Sequence, residues 1–140
     1  MDKYIGIWVD HGKAFVVTLS EGKDSLKKIE SSVEPHFRLS GGYRSVNSSG
    51  TSAVSERKPE ERRKHQLHNY YQQLIQNVKT AKGLFIFGPG EAKTEFAKEI
   101  KKVKAYEGKI RGIEPSDKLT QRQIIAKVRE FFQGDRKAKN

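Results

Sequence analysis

The sequence predicts an α/β domain in which a mixed sheet opens as a meander and is covered by helices, in the order βββαβαβα. Three observations predict it. Two runs dense in β-branched and aromatic residues stand side by side at the start, YIGIWVD at 4–10 and KAFVVTL at 13–19, with the turn residues Asp10, His11 and Gly12 between them. Residues 60–79 then switch to helical spacing, with Leu67, Tyr70, Tyr71, Leu74, Ile75 and Val78 at steps of three and four. From Gly83 onward, short apolar runs alternate with helical patterns. Such alternation after a meander calls for a mixed sheet with helices packed on it.

Each element has a local reason. The third strand, around Ser25 to Ser32, has only Leu26 and Ile29 as apolar anchors, which suits a sheet edge, and Lys27 and Lys28 discourage that edge from pairing with another chain. Residues 35–59, with Gly41, Gly42 and Gly50 among Ser, Asn and Thr, read as a long Gly/Ser-rich loop. Loops beyond about 12–15 residues inside a compact domain are usually functional or disordered. The helix at 60–79 opens with EERRKHQLHN, and GLFIF at 83–87 is a short buried strand closed by the turn Gly88-Pro89-Gly90. A second helix runs from Glu91 to about Ala105 with Phe96, Ile100 and Val103 inward, and a short strand follows near 109–113. Thr120 and Gln123 fit a capping box for a last helix that turns Ile124, Ile125, Val128, Phe131 and Phe132 to the core, and Gly134 is expected to end it. Residues 1–134 are therefore expected to form one domain, with 135–140 as a basic tail. Trp8, Phe15, Leu74, Phe85, Phe87, Ile100 and Val128 should be largely buried.

Composition narrows the function. With 34% apolar residues in a chain of 140 and a mean hydropathy of -0.79, the core must be lean and well patterned. No stretch approaches the roughly 20 apolar residues of a membrane span. The start Met1-Asp2-Lys3-Tyr4 leads straight into a strand, without the apolar region of a signal peptide. The expected compartment is the cytoplasm, with no membrane partner. The absence of cysteine removes disulfides, thiolate metal sites and cysteine nucleophiles together. Charge is the most informative bulk property: 28 Lys and Arg against 17 Asp and Glu give +11. Residues 56–82 alone carry 7 basic and 3 acidic groups, next to the Gly-rich stretch. Such a balance favours a polyanionic partner over a neutral one.

The motifs that carry chemistry are few. GPGEAKT at 88–94 lacks the Gly-Lys pair and the length of a phosphate loop, since Ala92 precedes Lys93. A helix start after Gly-Pro-Gly could still hold one phosphate, but Glu91 in its first turn is expected to satisfy the helix dipole itself. His65 and His68 have a spacing that could present two zinc ligands, yet no Cys exists and no acidic partner stands at a matching step. Asp10, at the end of the first strand, could be one carboxylate of a two-metal nuclease, but the strand at 83–87 ends without an acid. A turn role for Asp10 before His11-Gly12 is the plainer reading. No cofactor is expected.

Three stretches resemble the middle domain of the archaeal and eukaryotic class-I peptide-chain release factors and Pelota, with bacterial release-factor-like proteins as nearest company. They are Gly41-Gly42 in a basic polar loop, His68-Asn69-Tyr70 in the following helix, and GLFIFGPGEAKTEF from Gly83 to Phe96. The resemblance covers most of the chain and implies a ribonuclease H-like fold. It also implies a departure: the release factors carry Gly-Gly-Gln, with the glutamine placed to let water attack the peptidyl-tRNA ester, whereas here Tyr43 follows Gly41-Gly42. Release chemistry is therefore not expected, and the chain would act alone or as a module on RNA, with the ribosome or tRNA as the implied partner.

The expected function is a non-catalytic RNA-binding, ribosome-associated role in translation, such as rescue, hibernation or regulation. Arg38, Arg44, Arg57, Arg62, Arg63 and Lys64 would pair phosphates, Tyr43 would stack on a base, and Gly41 and Gly42 of the same loop and His68 would join the contact. Two other classes stay open. One is a metal-dependent nuclease using Asp10 with Glu60 or Glu61; the other is a module that binds a protein partner.

Overall fold

A computed structural model of the chain describes residues 3–32, 52–106 and 108–139, the side chains of 52–59, 105 and 135–139 excepted. The strands are β1 (Tyr4–Val9), β2 (Lys13–Ser20), β3 (Lys23–Glu30), β4 (Gly83–Gly88) and β5 (Ile110–Pro115). The helices are α1 (Ser52–Asn77), α2 (Ala92–Lys101) and α3 (Gln121–Lys139), and a single 3-10 turn at Lys104–Tyr106 follows α2. The five strands form one mixed sheet in the order β3-β2-β1-β4-β5. The meander β1-β2-β3 is antiparallel, while β4 and β5 join it in parallel. Element order and mixed sheet are those expected from the sequence.

The hairpin is tight because Asp10 acts in its turn: Oδ1 accepts the Gly12 and Lys13 N–H groups, both at 2.7 Å. One face of the sheet packs α1 and α2 through Ile5, Ile7, Val16, Leu74, Ile86, Phe96 and Ile100. The other face packs α3 through Trp8, Phe15, Phe85, Phe87, Ile124, Val128 and Phe132. All seven residues expected in the core are buried, Phe15 being the most exposed of them at 7%. The α3 face is fitted around one transverse row of the sheet, Gly6, Phe85 and Gly112 on adjacent strands. The glycines leave room on either side of the phenylalanine. Val128 fills the space over Gly6, and Phe131 covers Gly112 and stacks on Phe85 with ring centroids 4.0 Å apart.

Both sheet edges carry features that oppose further pairing. On β3, Lys28 pairs with Glu30 at 3.3 Å and Lys27 reaches Asn77 at 3.1 Å, so the edge is charged along its length. On β5 the register breaks between Leu84 and Phe85, and the strand ends in Pro115, which has no N–H to offer a neighbour.

Several boundaries differ from those expected. Helix α1 starts at Ser52, so the end of the stretch read as a loop over 35–59 is helical. Pro59 and the polar composition favour a break there, but Ala53, Glu56, Arg57 and Lys58 are good helix formers, and the bond lost at a proline and its clash with the carbonyl four residues back are confined to one turn of a long helix. Helix α3 continues through Gly134 to Lys139, past its expected end. Gly134 is a solvent-facing helix position with nothing near its Cβ direction, so no packing contact requires the chain to stop there. Helix α2 ends at Lys101, where the Lys102 N–H turns back to Glu99 O at 3.2 Å and the Val103 N–H to Ile100 O at 3.0 Å. Glu91 precedes α2 without capping it by its side chain; its carbonyl accepts the Glu95 N–H at 2.9 Å instead. The expected capping box of α3 is present: Gln123 N–H donates to Thr120 Oγ1 at 3.1 Å, and Thr120 N–H donates to Gln123 Oε1 at 2.9 Å.

Candidate nucleic-acid interface

Helix α1 runs antiparallel to β1. Just past its end, the Lys82 N–H donates to Lys3 O at the start of β1, while Tyr70 donates its hydroxyl to Asp10 O just past the far end. Residues before Tyr70 therefore extend past the carboxyl ends of the strands. At 1.5 Å per residue, Arg62, Arg63 and Lys64 lie about 10 Å farther along the axis than Tyr70. This end of the sheet is also where the chain reverses direction across it: β1 connects to β2 on one side, and β4 connects to β5 on the other. In open α/β sheets such a switch point, outside the carboxyl ends of the strands, is the usual ligand crevice.

A polar network fills this end. Glu95 of α2 uses Oε1 to accept from His11 Nε2 at 3.0 Å and from the Tyr71 hydroxyl at 2.7 Å. One turn further along α2, Glu99 meets His68 Nδ1 at 3.4 Å, Gln72 Nε2 at 3.4 Å and Lys102 Nζ at 3.5 Å. Burial is the main reason the Tyr70 and Tyr71 phenols are pushed well above their ordinary range; Asp10 adds to it for Tyr70, and the Glu95 hydrogen bond adds to it for Tyr71, opposed by the Arg63 charge. Both phenols thus stay neutral and act as hydrogen-bond donors.

A pH dependence follows. With folded-state values above the unfolded value near 10, the folded chain binds these protons more tightly. The stabilisation is complete below pH ~10 and is lost as the pH rises above it, because only the unfolded chain then ionises. Urea unfolding at pH 7 and pH 11 should show a smaller alkaline loss for Tyr71→Phe than for the parent protein.

Of the sequence-derived site residues, Arg62 and Lys64 are exposed on α1 and Arg63 is half-buried. His68 is exposed on the same helix and faces Glu99. Arg57 lies within α1, but its side chain is outside the described residues, as are Arg38, Gly41, Gly42, Tyr43 and Arg44 altogether. The sequence reading missed His11, Tyr71, Glu95 and Glu99. Tyr71 was assigned to the core stripe, and it is buried there; its hydroxyl reaches the network only because α2 packs beside α1.

The nuclease alternative gains nothing here. Asp10 is engaged in its turn, and Glu60 and Glu61 are exposed on α1. Among the described residues no group of three or more His, Cys, Asp or Glu side chains could hold a metal ion. A groove of about 470 Å³ opens at the opposite end of the sheet, but its one lining cation, Arg129, is paired with Asp24, and Glu21 stands beside it. That surroundings repel a phosphate. No described helix is long and apolar enough to cross a membrane.

No family model matches the chain, and no curated protein matches it in sequence. Among solved structures, the archaeal translation termination factor aRF1 superposes on 91% of this chain with a TM-score of 0.54 at 14% identity. The two share a fold. The chain spans about a third of the length of that factor, 34% of it. An archaeal protein is similar at 15% identity with a TM-score of 0.42, over 99% of this chain and 41% of its own. Pelota from Archaeoglobus fulgidus is similar at 15% identity with a TM-score of 0.37, over 95% and 35%. A release factor, the family named by the sequence resemblance, is thus among the structural neighbours.

Proposed function

We propose that the chain is an RNA-binding, ribosome-associated protein of the translation machinery that acts by binding and not by peptide release. The observation that carries the reading is the placement of α1: it takes Arg62, Arg63, Lys64 and His68 beyond the carboxyl ends of β1 and β4, to the crevice end of the sheet. The chain's excess of 11 positive charges supports a polyanionic partner. A structural neighbour described as a translation termination factor supports the translational setting. Arg38, Gly41, Gly42, Tyr43, Arg44 and Arg57 adjoin this surface in sequence and complete the proposed contact, with Tyr43 offering a stacking face where release would need glutamine.

Sedimentation tests the reading directly. Tagged chain mixed with ribosomes from its own host should pellet with them at low salt and dissociate progressively as salt is raised. Chain that stays in the supernatant at low salt, and that binds no RNA in a separate titration, would end this proposal. Pelleting that persists unchanged in high salt would favour the alternative of a protein-partner module.

A further inference from the structure

We propose that His11 and His68 form a metal-independent acid–base pair that cleaves single-stranded RNA by attack of a 2′-hydroxyl on the adjacent phosphodiester. The proposal rests on the RNA-binding reading above and goes beyond it, since binding alone requires neither histidine to be oriented.

Each imidazole faces a carboxylate of α2. His11 faces Glu95 through Nε2 at 3.0 Å, and His68 faces Glu99 through Nδ1 at 3.4 Å. A carboxylate at one ring nitrogen keeps the proton there and leaves the lone pair on the other nitrogen, which is the arrangement of a general base. The reactive atoms are therefore Nδ1 of His11 and Nε2 of His68. Glu95 and Glu99 are four residues apart on α2, so their Cβ atoms lie on one helix face about 6 Å apart. The two histidines therefore meet carboxylates one turn apart on the same helix. Each carboxylate is also braced from α1, Glu95 by Tyr71 and Glu99 by Gln72. Glu95 faces His11, with Asp10 in the same turn, and Glu99 faces His68, with Lys102 on the same carboxylate. Both histidines remain reachable, with 36% and 53% of their side chains exposed.

The step balances without a metal or co-reactant. One neutral imidazole takes the 2′-hydroxyl proton as the 2′-oxygen bonds to phosphorus. The bond from phosphorus to the 5′-oxygen breaks, and the other histidine, entering as imidazolium, gives that oxygen its proton. The products are a 2′,3′-cyclic phosphate and a 5′-hydroxyl end, and solvent restores the two protons. Because one histidine must be neutral and the other protonated, the rate should be bell-shaped in pH.

The experiment uses the full chain, an end-labelled oligoribonucleotide and EDTA, from pH 5 to pH 9. The expected result is cyclic-phosphate ends, a bell-shaped profile and no cutting of a 2′-O-methyl oligonucleotide. His11→Ala and His68→Ala, purified in parallel and compared at saturating protein, should each lose on the order of a hundredfold or more in rate. Glu95→Gln should lower the rate and move the pH profile. RNA that is bound but uncut, cutting that needs Mg2+, or cutting undiminished in both histidine variants overturns the acid–base pair and leaves the binding reading standing. Failure to bind RNA at all removes both.

Discussion

Gly88→Ala should destabilise the fold by about 3 kcal/mol or more, a large share of the roughly 5–15 kcal/mol of a typical domain. Gly88 ends β4 with φ +148°, a region that residues with a Cβ scarcely visit. An added Cβ would lie 2.3 Å from Val9 O and 3.1 Å from Val9 N on the adjacent strand. These are backbone atoms, so no rotamer change relieves the contact; β1 and β4 would have to separate at the crevice itself. Two other glycines provide contrast. Gly90, at φ +63°, has nothing within 4 Å of its Cβ direction, so Gly90→Ala should cost only about 1 kcal/mol of backbone strain. Gly134 lies in the interior of α3 in open space, and Gly134→Ala should be neutral or stabilising by about 0.5–1 kcal/mol. Urea melts of the three variants check the order. A Gly88→Ala protein within about 1 kcal/mol of the parent would mean that the strands do not meet as closely as the structure has them.

Reversing Arg62 and Arg63 to Glu should weaken RNA binding roughly a hundredfold at low salt, taking about 1.5 kcal/mol, or tenfold, for each charge-assisted contact. The same reversal at Lys101 and Lys102 should cost far less, although both double variants change the net charge equally. Lys101 closes α2 and Lys102 follows it, whereas the arginines stand on the part of α1 that passes the crevice. If about five phosphates are neutralised, log K should fall with log salt at a slope near -3.5 for a single strand, and losing two contacts should shallow it by about 1.4. Arg62 and Arg63 also have partners within the molecule, so an unfolding curve should accompany each titration. Equal losses from the two double variants would reduce the interface to a generic basic surface and withdraw its assignment to α1.

The sequence by itself determined the element order, the core and the turn at Asp10, because these depend on local periodicity and on side chains bonding to their own backbone neighbourhood. Short, dense apolar runs bounded by turn residues form strands buried on both faces, and Asp10 caps a turn two and three residues away. It could not locate the ends of α1 and α3. Pro59 and Gly134 weaken a helix by amounts that a long helix packed on a sheet can absorb. The polar network was decided by the tertiary structure alone. His11 and Glu95 are 84 residues apart, and Tyr71 and Glu95 are 24 apart; no spacing rule connects them. They meet because β4 inserts beside β1, which brings the start of α2 against both the first turn and α1. Charge and periodicity are properties of the chain, whereas the pairing of a histidine with a carboxylate from another element is a property of strand order.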